Sequence, residues 1–144
     1  MLARMELPPL WLGLALVISW ALSLVWSVPG FAGLGAVLIA LGLAVMGLAL
    51  VQMVLAKTTF IPRRTPSSLL RSGVFRISRN PIYLGDALVL TGAILHWGAM
   101  LALPLIPAFI VLITQRFILD EEERLRIAFG DEYLPYTRAV RRWI

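Results

Sequence analysis

Two short stretches of this chain carry side chains that could do chemistry. The first, RISRNPIYLGD, spans residues 76–86 and brings together Arg76, Arg79, Asn80, Tyr83 and Asp86. The second lies more than thirty residues later, where Glu121 and Glu122 sit inside a run of four acids. Guanidinium groups hold carboxylates or phosphates. Asparagine and tyrosine donate and accept hydrogen bonds, and the acids hold cations or take protons. Together these types suit a small ligand bearing both charge signs.

The elements that must position them are apolar helices. The chain has 144 residues, enough for a single domain, and its mean hydropathy of +0.87 is that of a membrane protein. Residues 7–56 hold no charged side chain, and between Pro81 and Gln115 the one formal charge is Asp86. Uncharged runs of about 18 residues or more read as membrane spans. The fold expected is therefore all-α and polytopic, with about four transmembrane helices and cytoplasmic interfacial helices at the C-terminal end. The spans fall at residues 8–27, 31–56, 81–97 and from Gly98 to about Leu119, the last kinked at Pro104 and Pro107. The first run is too long for a signal-peptide core and has no small-residue cleavage site, so it reads as a retained span. The single domain over residues 1–144 divides into two N-terminal spans, 1–56, and a functional half, 57–144. There is no cysteine and one histidine. Thiolate chemistry and a cysteine-held or all-histidine metal site are thereby excluded, and no metal is expected.

All 13 Lys and Arg lie in the N-terminal stub, in residues 57–80, or from Arg116 onward. The turns near Pro29 and Trp97 carry none. The positive-inside rule places both termini and the middle loop in the cytoplasm. The net charge of +5 suits anionic headgroups, and since topology accounts for it no nucleic-acid partner is expected. In the second span Ala32, Ala36, Ala40 and Ala44 recur every four residues beside several glycines. Small residues at that spacing let helices approach closely, either within the chain or across a homo-oligomer seam.

Helical phase then groups the polar residues. Tyr83 and Asp86 share a face with Leu90, Ala93 and Trp97, while Gly85 and Gly92 fall on a side suited to close packing. An acid within a span is a functional candidate by default, though pairing with a loop arginine would also account for Asp86. Asn80-Pro81 is a helix entry, with Asn80 as the cap and Pro81 at the first position. Arg76 and Arg79 fit headgroup anchoring as well as a site. In the tail, Ile118, Glu122, Leu125 and Phe129 form one stripe, with Glu121 at its edge and Glu123 and Arg124 pointing away. Asp120 and Glu123 read as a solvated face. Gly130 ends that helix and Asp131 caps a second, whose Tyr133, Tyr136 and Val140 make an amphipathic face. The expectation is a polar pocket at the cytoplasmic interface, built from Arg76, Arg79, Asn80, Tyr83, Asp86, Glu121 and Glu122.

These residues also carry a resemblance. Gly73 to Gly85 matches G-x-(Y/F)-R-x-x-R-(H/N)-P-x-Y-x-G, a signature of the isoprenylcysteine carboxyl methyltransferase and phospholipid methyltransferase superfamily. Glu121, Glu122, Leu125, Phe129, Gly130, Tyr133, Tyr136, Val140 and Arg142 resemble its second signature. The resemblance implies methyl transfer from S-adenosylmethionine to a lipidic or amphiphilic acceptor. It implies a cofactor-binding set of Arg76, Arg79, Asn80, Tyr83, Gly85, Glu121 and Glu122, with Gly85 allowing close backbone approach. Asn80 stands where the eukaryotic enzymes usually have histidine, and asparagine takes no proton. An amine acceptor would then need Asp86 or Glu122 as its base, whereas a carboxylate acceptor would need none. Bacterial relatives often carry this asparagine, so a bacterial cytoplasmic membrane is the expected location. Phospholipid amines, prenylated thiols or carboxylates and smaller amphiphiles all remain open as acceptors. Sterol reductases also resemble this half, with Leu84-Gly85-Asp86 in their motif, which keeps an NADPH-dependent reductase as an alternative. A non-catalytic membrane scaffold is the other.

Overall fold

The computed structural model describes residues 7–58 and 68–144. Six α-helices follow one another: α1 (Pro8–Val25), α2 (Ala32–Leu55), α3 (Pro81–Trp97), α4 (Leu105–Ile113), α5 (Leu119–Phe129) and α6 (Tyr133–Ala139). No strand occurs among the described residues. Among the described residues three helical segments can cross a membrane by length and composition: α1, α2 and the continuous run Met100–Ala139 that contains α4, α5 and α6. Large apolar side chains on α1 and α2, such as Leu24 and Leu55, are exposed on their outer faces, as expected where the solvent is lipid. The chain is an all-α integral membrane protein.

Helix α3, 17 residues long, is the centre of the molecule. Its Leu90 and Ile94 are fully buried with Ile113, Phe117 and Ile118 of the last segment, and α1 adds Trp11, Leu12 and Leu16 to that cluster. On its other side α3 meets α2 along a seam of glycines. A Cβ on Gly42 would lie 2.6 Å from Gly85 O, and one on Gly92 would lie 2.6 Å from Gly35 O. The backbones touch there, which is what glycine pairs do between membrane helices. The alanines do not form this seam: Ala32, Ala36, Ala40 and Ala44 are exposed. Four-residue spacing drifts around a helix, whereas Gly35, Gly42 and Ala49, seven apart, stay on one face and are buried. At the far end His96 Nδ1 lies 3.0 Å from Ala32 O and ties α3 to the start of α2.

The last segment differs from expectation. Pro104 is the cap residue of α4 and Pro107 lies in its first turn, where a missing N–H leaves no bond unmade. A 3₁₀ turn over Met100–Ala102 precedes Pro104, and a second departure from α geometry follows in a π turn over Thr114–Ile118. Its extra residue rotates α5 relative to α4.

Gln52, the one polar side chain in the second half of α2, reaches the middle loop. Its Nε2 donates to Ser72 O at 3.0 Å and its Oε1 accepts from Val74 N at 3.1 Å. These bonds hold the 3₁₀ turn Gly73–Arg76 against α2. Gln52→Leu should destabilise the protein by about 1–2 kcal/mol, since both backbone partners lose their bond. It should also raise amide exchange over residues 72–76, and unchanged exchange there would contradict this role.

Candidate functional site

The end of the molecule at which α3 begins is assembled by a strap of tail backbone laid against the segment that enters α3. Arg79 N donates to Arg141 O at 3.0 Å. Ser78 Oγ, on a fully buried serine, and Asn80 Nδ2 both donate to Arg142 O, at 3.3 and 3.0 Å. Asn80 precedes α3 but its side chain does not cap the helix. Pro81 has already removed one donor from that first turn, and the tail carbonyl captures the carboxamide instead. Asp131 makes no cap either, because the 3₁₀ turn Gly130–Glu132 leads directly into α6.

Arg142 then turns its side chain back onto α5. Its Nε and Nη2 donate to the two Glu122 oxygens at 2.7 and 2.9 Å, a bidentate pair, and Arg79 Nη1 approaches Glu122 Oε1 at 3.4 Å. The carboxylate holds the Arg142 guanidinium above its usual pKa. Glu122 thus joins loop, α5 and tail. Tyr133, Tyr136 and Val140 are buried with Leu125 and Phe129, the amphipathic face expected for α6, and it packs on protein. Tyr136 donates to Phe75 O at 2.7 Å.

Between this junction and the N-terminal helices lies a cavity of about 620 Å³. One wall is polar, with Arg79, Asn80, Tyr83, Asp86, Glu121 and Arg124; the facing wall is apolar, with Leu7 and Pro8 of the α1 end and Met46, Leu50 and Met53 of α2. Tyr83 donates to Glu121 Oε1 at 2.6 Å. Asp86 is buried, and no arginine among the described residues pairs with it, so structural pairing with one of them does not account for it. Arg63 and Arg64 lie outside the described residues.

The structure therefore gathers Arg79, Asn80, Tyr83, Asp86 and Glu121 around one space. Glu122 stands behind that wall, gripped by two arginines. Arg76 is exposed and does not line the cavity. Gly85 faces α2: a Cβ there would lie 2.7 Å from Gly42 O, so its small size serves helix packing. Asp120 and Glu123 are exposed, and Glu123 pairs with Arg126. Arg124 is a correction, since it lines the cavity instead of pointing away. The signal was available in its spacing: three residues from Glu121 on a helix is the same face.

The family model for phospholipid methyltransferase matches residues 31–132, which takes in α2 through α5 and so most of the cavity wall. A protein of Haemophilus influenzae described as uncharacterized is 41% identical over 63 residues, covering 44% of this chain and 100% of its own. No solved structure matches. Outside the match lie only the α1 end of the apolar wall and the tail that carries Tyr136 and the strap, and on this extent the chain belongs to the phospholipid methyltransferase family.

Proposed function

We propose that this membrane methyltransferase takes its methyl group from S-adenosylmethionine and transfers it to a lipidic or amphiphilic acceptor at the cytoplasmic face of a bacterial inner membrane. The observation that carries the reading is the cavity itself, in which both charge signs line one wall and the bilayer-embedded helices supply the other. Such a donor has an ammonium, a carboxylate and a sulfonium, and the residues present fit it: Arg79 and Arg124 offer guanidinium donors, Asp86 and Glu121 offer acids. When bound, the donor supplies an electrophilic methyl group on sulfur.

The protein's part is placement. Asn80 carries no titratable proton, and its carboxamide orients the loop by its bond to the tail. Tyr83 fixes the Glu121 carboxylate on the cavity wall. Glu122 keeps Arg79 in position from behind. The apolar wall excludes water and admits the hydrocarbon part of an acceptor, so that proximity and desolvation supply most of the rate. Asp86, within the cavity and free of any arginine among the described residues, is the acid placed to take a proton from an amine acceptor; a carboxylate acceptor would leave it idle.

Thermal unfolding of the detergent-purified protein tests the donor. S-adenosylhomocysteine at about a hundred times its Kd should stabilise the fold by about 2.7 kcal/mol through linkage, while NADPH leaves the melting temperature unchanged. Stabilisation by NADPH alone would replace this reading with a reductase, and stabilisation by neither would favour a scaffold.

A further inference from the structure

Three buried side-chain nitrogens find no hydrogen-bond acceptor among the described residues: Trp11 Nε1, Arg79 Nε and Arg124 Nη1. The two arginines share the polar wall of the same cavity. The carboxylates near them are already engaged. Glu122 is taken by Arg142 and Arg79, and the Glu121 Oε1 accepts from Tyr83. Arg124 stands one helical turn from Glu121 on the same cavity wall, yet its Nη1 bonds nothing among the described residues. Asp86, the remaining acid on the wall, reaches neither guanidinium. A buried donor left unpaired is costly, and most native structures avoid it. Two guanidinium donors orphaned on one cavity wall have a direct explanation in an acceptor that arrives from outside the chain.

We propose that Arg124 and Arg79 form an oxyanion subsite in the cavity, completed by a carboxylate or phosphate oxygen of a bound ligand. Guanidinium groups match both anions in geometry and stay charged at any working pH. The shared chemistry has two sources. One is the carboxylate of the methyl donor, which rests on the donor reading above, and the other is a phosphate in the headgroup of a lipid.

Ligand titrations followed by thermal shift separate them. The probes are S-adenosylhomocysteine and its carboxylate-free analogue S-adenosyl-3-thiopropylamine, then phosphatidic acid and phosphate-free diacylglycerol in mixed micelles. Arg124→Gln should weaken one anionic probe about tenfold or more while its anion-free counterpart changes less than about twofold. Loss confined to S-adenosylhomocysteine identifies the donor carboxylate, and loss confined to phosphatidic acid identifies a lipid phosphate; either bears the subsite out. If S-adenosylhomocysteine fails to bind the wild type while phosphatidic acid binds in an Arg124-dependent way, the donor reading falls and the subsite stands. Unchanged affinity for both anionic probes, or equal loss for their counterparts, overturns the subsite. Should Arg124→Gln not fold, Arg124→Lys carries the same comparison. It keeps the charge but loses the planar fork, so the same selective loss should appear at a few-fold level.

Discussion

Glu122→Gln should loosen the tail strap and weaken donor binding together. The carboxylate holds Arg142 by two bonds of 2.7 and 2.9 Å and draws Arg79 to 3.4 Å, so one substitution leaves two guanidinium groups without their counter-ion. Breaking a fully buried pair costs about 3–5 kcal/mol. The Glu122 side chain is 17% exposed and that of Arg142 37%, so solvent screens part of this loss. The expected destabilisation is about 2 kcal/mol. Affinity for S-adenosylhomocysteine should fall about tenfold or more, because Arg79 lines the cavity and its position depends on Glu122. Arg142→Gln should reproduce the stability loss with a smaller effect on binding, since Arg79 then keeps its carboxylate. The double variant should cost little more than Glu122→Gln alone, as coupled partners do. An unaltered melting temperature and unaltered binding in Glu122→Gln would remove this residue from the site's construction.

Within the seam between α2 and α3, Gly35→Ala should be the most damaging single-methyl change. A Cβ at Gly35 would fall directly on Gly92 O and on the backbone of His96, and neither can move without shifting α3. Overpacking typically costs 1–3 kcal/mol, and a clash with backbone belongs at or above the top of that range, about 3 kcal/mol. Since α3 carries Tyr83 and Asp86 and follows directly on Asn80, the displacement should reach the cavity and remove ligand-dependent stabilisation as well. Gly33→Ala is the matched control. No atom lies within 4 Å of a Cβ there, and alanine is the better helix former, so that variant should melt at or slightly above the wild type. Size-exclusion profiles and melting curves of the two variants decide the matter, and equal behaviour would show that α2 and α3 do not rely on the glycine seam.

How much of this was legible beforehand follows from which forces are local. Pro81 opens α3 and Gly130 ends α5 because φ restriction and chain termination act within a few residues. Period alone gives Leu125 and Phe129 one stripe and Tyr133, Tyr136 and Val140 another, and the structure packs the two together. Asn80 and Asp131 show the limit of the same logic. Each has the right residue type in the right place to cap, yet a tail carbonyl takes Asn80 and a 3₁₀ turn bypasses Asp131. Arg124 was misplaced because α5 serves two surfaces at once. Glu122, Leu125 and Phe129 face the tail, while Glu121, Arg124 and Leu125 face the cavity, and a single stripe drawn through the first set hides the second.

The sequence by itself determined that the chain lives in a membrane, where α1, α2 and α3 lie, and which polar residues could serve a mixed-charge ligand. Those properties depend on hydropathy, backbone restriction and residue chemistry, all carried by neighbours in the chain. Only the tertiary structure decided that glycines and not alanines join α2 to α3, that Glu122 anchors from behind the cavity wall, and that Arg124 faces into it. Periodicity assigns a residue to a face of its own helix, but what that face meets is set by how distant segments pack. Here that is settled by backbone contacts across α2 and α3 and by tail carbonyls reaching a loop more than sixty residues away.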